Sequence, residues 1–64
     1  MANYEKVMNM SIDDMVERYY DHSRQLRNVM ATLAFMYQTF HSDDYKNAYN
    51  RCNLVLNTIL SYKA

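Results

Sequence analysis

Sixty-four residues carry seven basic and seven acidic side chains, are 50% apolar, and include neither glycine nor proline. That balance lacks the electrostatic footprint of a dedicated nucleic-acid binder and the Lys/Arg-rich polar face of a membrane-surface helix. Without glycine to reach positive φ, or proline to fix φ and remove a donor, turn-rich and sheet-rich architectures are disfavoured and an all-α chain is expected.

Residues 1–10 read as an N-terminal arm. Tyr4, Val7 and Met8 have helical spacing, but about two turns are too few to stand alone. Ser11 then reads as an N-cap, its hydroxyl placed to accept from the amide of Asp14. Asp13, Asp14 and Glu17 crowd the first turns, where the helix dipole favours negative charge. From there an apolar beat runs through Ile12, Tyr19, Leu26, Leu33 and Phe40, seven positions apart, with Met15/Val16, Val29/Met30 and Met36/Tyr37 beside it. It predicts a helix over 11–40, about 44 Å long. Asp21-His22-Ser23 interrupts the beat with polar residues. A fresh helix start there, capped by Asp21 or Ser23, would fold the first segment back and make a three-helix monomer. None of the three is a strong breaker, so an uninterrupted helix is expected.

His41-Ser42-Asp43-Asp44 is the clear break: Ser42 can cap, and the two aspartates supply an acidic first turn. A second helix over 43–62 follows, with Tyr45, Cys52 and Ile59 on its beat and Ala48/Tyr49, Val55/Leu56 and Tyr62 alongside. So short a connection predicts an antiparallel hairpin, one domain over 11–64. With the turn at 41–42, Tyr62 falls opposite His22 and Ser23, and the stretch from Ile12 to Asp21 overhangs with its apolar residues uncovered. A core of this size supplies only about 3–5 kcal/mol and usually needs a staple. The lone Cys52 allows no internal disulfide, and no metal-ligand spacing occurs. Association is the remaining staple. The expectation is a homodimer forming a four-helix bundle, with Ile12, Met15, Val16, His22 and Leu26 in the self-association surface.

Catalytic and metal signatures are weak. His22 and His41 would stand nearly 30 Å apart on a straight helix, so they share no ion with each other in one chain. Asp13, Asp14, Glu17 and Asp21 are accounted for by dipole compensation and solvation. No nucleophile–base pair and no phosphate-cradling glycine loop appears. The chain is therefore expected to be non-enzymatic, with no cofactor, no metal and no small-molecule substrate. The longest run without formal charge, Asn28 to His41, carries Asn, Thr and Gln and is too short to span a bilayer. No membrane association is expected, and the unpaired cysteine points to the cytoplasm.

The uncharged faces outside the stripe carry the functional expectation. Helix two presents Asn50, Leu54 and Asn57 on one side, and helix one presents Phe35, in surroundings poor in charge, as recognition surfaces are. Tyr19, Tyr20, Phe35, Leu54, Asn50 and Asn57 are the expected partner-binding residues, with Arg18, Arg24 and Arg27 steering approach. The function this suggests is a stoichiometric inhibitor, adaptor or regulator of a partner protein, of the minimal kind that viruses and mobile elements encode. The alternative is a hairpin dimer that binds RNA or DNA through Arg18, Arg24, Arg27 and Arg51, or else a structural assembly subunit.

Overall fold

The computed structural model describes residues 4–64; the first three positions of the predicted arm lie outside them. Four helices follow in order: α1 (Tyr4–Met8), α2 (Ile12–Tyr19), α3 (Ser23–Phe40) and α4 (Asp43–Lys63). No strand occurs among the described residues.

α3 and α4 form the antiparallel hairpin. Its turn is made without glycine: His41 takes the left-handed conformation (φ 54°) and its backbone N–H donates to the Tyr37 carbonyl at 2.7 Å, closing α3. A non-glycine residue held there costs about 1 kcal/mol. Ser42 caps α4, its hydroxyl accepting from the Asp44 N–H at 3.4 Å, and Asp43 and Asp44 fill the acidic first turn. At the far end Lys63 meets Asp21 at 3.8 Å, and Tyr62 lies edge-on to Tyr20. This matches the register expected from a turn at 41–42.

The predicted helix over 11–40 is two helices. α2 ends at Tyr19, the His22 N–H bonds to the Tyr19 carbonyl at 3.0 Å, and the Leu26 N–H bonds to the His22 carbonyl to start α3. The longest dimension of the molecule is 35 Å, shorter than the rod an unbroken helix would make. Energetics explain the break where intrinsic propensity does not. Interrupting an exposed helix sacrifices two or three backbone bonds, each worth about 1 kcal/mol net because water replaces them. Folding back buries Met15 and Tyr19 and lets Val7 seal beneath α1, at roughly 1.5–3 kcal/mol for each apolar side chain. Burial wins.

α1 and α2 both pack across α3 and α4 on one side of the hairpin. One core results, in which Val7, Met15, Leu26, Leu33, Cys52, Val55 and Ile59 are sealed from solvent. The overhang is therefore covered by the chain itself, and the arm from Tyr4 to Met10 belongs to the same core as the hairpin. The Arg51 guanidinium secures this cover by donating to the Met8 carbonyl at the end of α1 at 3.4 Å. Ser11 caps α2 by accepting from the Asp14 N–H at 3.2 Å. Phe40 on the sequence beat and Tyr62 alongside it are largely exposed, at the two ends of the hairpin.

Candidate protein-binding surface

The apolar stripe of the hairpin is wider than one neighbour requires. On α3 it contains the adjacent pairs Val29/Met30 and Met36/Tyr37, and on α4 Ala48/Tyr49 and Val55/Leu56. Consecutive helical residues lie about 100° apart, so each pair turns one member to either flank of the α3–α4 seam. The first members face the flank that α1 and α2 cover: Ala48 shares a cavity with Met8 and Asn9. The second members face the other flank, where Met30, Tyr37, Tyr49 and Leu56 line a furrow with Ala31 and Ala34. It consists of two adjoining cavities of about 210 and 300 Å³ that share Ala34 and Tyr49. The asymmetry is plain in one pair: Ala48 is 3% exposed and Tyr49 36%.

Arg27 borders one cavity of this furrow and Lys46 and Gln38 the other; no carboxylate lines either. The only ion pair among the described residues is Lys63–Asp21, so neither Arg27 nor Lys46 is neutralised within them. The furrow is apolar along its floor and positive at both ends.

The structure distributes the sequence-predicted partner residues over several faces. Tyr19 is 3% exposed and part of the core, so it is withdrawn from any docking surface. Its position on the beat was the better guide to its role. Tyr20 is half given to an internal latch: its ring faces Tyr62, and the Lys63 ammonium sits 4.8 Å from its centroid. Phe35, 65% exposed, lies about 200° round α3 from the buried Leu33. It shares that outer face with Arg24. Leu54 lies equally far round α4 from Cys52, flanked by exposed Asn50 and Asn57. These are the backs of two different helices and do not merge into one patch. Of the predicted arginines, Arg18 lies over the Tyr19 ring on α2, Arg24 is on the outer face of α3, and Arg27 alone reaches the furrow. With Arg51 committed to Met8, the four guanidiniums define no single phosphate track.

The expected self-association residues fare similarly. Met15 and Leu26 are sealed within the monomer, Ile12 and Val16 are half-buried against its core, and His22 is exposed at the α2–α3 break. The surface that was to drive pairing of two hairpins is largely consumed internally. Burial also pushes the Cys52 thiol up from its ordinary 9.0 to about 11, against the opposing pull of the Arg51 charge. A thiol so placed behaves as a small hydrophobe and an unreactive one. No three His, Cys, Asp or Glu side chains gather to hold a metal among the described residues, and none of the described helices is long and apolar enough to cross a membrane. Comparison with protein-family models, curated proteins and solved structures finds no match to this chain.

Tyr37, Lys46 and Tyr49 bring this furrow to the surface, with Met30 buried in its floor. Their signal was present in the doubled apolar positions: a stripe two residues wide implies neighbours on two sides.

Proposed function

We propose that this chain is a small, non-enzymatic protein-binding module that acts stoichiometrically on a partner, as an inhibitor, adaptor or regulator, by docking the open flank of its α3–α4 hairpin. One observation carries this reading. The same hairpin has two apolar flanks, and the described residues lay helices over only one of them. Uncovered apolar area bordered by unpaired charge is the composition of an interface. Phe35, Leu54, Asn50 and Asn57 then lie on outer faces that a partner reaches only by wrapping, and Arg27, rather than Arg18 or Arg24, is the arginine that meets it. A reduced, cytoplasmic setting fits the free Cys52. Homodimerisation survives in this proposal only as a competing use of the open flank, since the α2 surface no longer calls for it.

The test is photo-crosslinking in the cells that make the protein, with a photoreactive residue at Ala34 and, as control, at Asn50. A discrete protein adduct from Ala34, absent from Asn50 and indifferent to nuclease, is the expected result. Adducts that vanish with nuclease would favour the nucleic-acid alternative; adducts only to further copies of the chain would favour an assembly subunit.

A further inference from the structure

Resting on the protein-binding reading, a narrower statement about the partner follows from the shape and charge of the furrow. We infer that the open α3–α4 flank receives one amphipathic helix of a partner protein, with an apolar side facing the furrow and carboxylates about three turns apart at its margins.

Three observations carry this. First, the hairpin already accepts helices: α1 and α2 fill the opposite flank with Val7, Met15 and Tyr19. The open flank repeats that floor with the second members of the same residue pairs, so a helix is the element its geometry fits. No sheet edge exists among the described residues to take a strand instead. Second, Ala31 and Ala34 lie one turn apart on the furrow wall, and their small side chains admit a close-packed helix backbone. Third, the charge is placed at the ends. Lys46 lines the same cavity as Gln38, three turns along α3 from Arg27, which puts the two cations about 16 Å apart along the furrow. Arg27 stands on the α3 wall and Lys46 on the α4 wall, so a helix lying there meets them with acidic residues spaced three turns apart, one at each margin of its apolar side. With no carboxylate in the furrow to compete, an acidic helix is favoured over a basic one.

Two synthetic helical peptides of about eighteen residues test this. Both carry the same leucine-alanine stripe; one has glutamates three turns apart at the stripe margins, the other lysines. Titrated into the intact protein at low salt and followed by fluorescence anisotropy, the glutamate peptide should bind about tenfold more tightly than the lysine peptide. Ala34→Arg should abolish binding, and Arg27→Glu with Lys46→Glu should invert the preference. Phe35→Arg, on the outer face of α3, should bind like the parent, and circular dichroism confirms that each variant is folded. No binding, binding indifferent to Ala34→Arg, or equal affinity for both peptides would overturn the inference. So would sedimentation showing that the protein alone dimerises and that Lys46→Glu dissolves the dimer, since a second copy would then be the occupant. A protein adduct from Ala34 with neither peptide bound would leave protein binding standing and remove the acidic helix; failure of both would remove both.

Discussion

The two flanks of the α3–α4 hairpin are built from the same sequence device and differ in what lies over them. Paired apolar residues at Val29/Met30, Ala48/Tyr49 and Val55/Leu56 send one side chain to each flank. On one flank α1 and α2 close over them; on the other Tyr49 remains more than a third exposed. The covered flank contains the small or β-branched Val29, Ala48 and Val55, with Met36 half-buried toward the turn, and β-branched side chains lock into fixed rotamers against a neighbour. The open flank contains Met30, Tyr37, Tyr49 and Leu56, and methionine and tyrosine adapt to irregular or half-wet contacts. The division suggests that the first flank contributes stability and the second recognition, and each prediction below is a way to break or sharpen it.

The largest effect belongs to the cover. Met15 is wholly buried where α2 meets the hairpin, and Met15→Ala should cost about 2–4 kcal/mol in denaturant unfolding. That approaches the whole stability of a domain this small. A loss under about 1 kcal/mol would mean that α2 is an accessory to the hairpin rather than part of its core. The next effect is read by pH. The folded Cys52 thiol titrates near 11 against an ordinary 9.0. Below pH 9 both folded and unfolded chains hold the proton and stability is unaffected. Between pH 9 and 11 the unfolded chain releases it first, so stability should fall, by up to about 2–3 kcal/mol. Tyrosines titrate over the same range, so the component is isolated by comparison with Cys52→Ala, which should show a shallower decline.

Much of this architecture was legible in the residues. The α3–α4 turn and the opposition of Tyr62 to the His22 region follow from Ser42, the two aspartates and the apolar beat, because caps and periodicity are local. The break at Tyr20–His22 was visible as an alternative and lost to propensity, because none of Tyr20, Asp21 or His22 breaks a helix by itself. What decides it is tertiary: the burial of Met15 and Tyr19, which no local rule weighs. The same cause misassigned Tyr19 as a partner contact. The open furrow was missed for a different reason. A beat of sevens marks one seam, and only the second residue of each pair, a step of about 100° further round the helix, points to another side.

α3 starts poorly for a helix of its length. His22 stands at its N-cap without a side-chain bond, and its first turn has no acidic residue, whereas α2 and α4 have a capping serine and aspartates. His22→Asp should therefore stabilise the protein by about 0.5–1 kcal/mol, seen as a raised denaturation midpoint with an unchanged slope. If His22 were instead a partner of some group across an interface, the same change would lower stability or alter the oligomeric state.

The smallest effect is the most discriminating. Ala34→Arg adds a long charged side chain to the open furrow, where Arg27 and Lys46 already reach solvent beside apolar floor. The guanidinium can leave its stem along Tyr37 and place its head in water, so unfolding should change by less than about 0.5 kcal/mol. The equivalent residue on the other flank offers no such exit. Val55 is wholly buried in the shared core, and Val55→Arg would drive a charge into a dry contact or lever the cover off. Near-neutrality at Ala34 with severe loss at Val55 would establish that the two flanks differ in what the fold demands of them. A comparable loss at both would mean that the furrow is core after all, held closed by the chain's own packing, and unavailable to any partner.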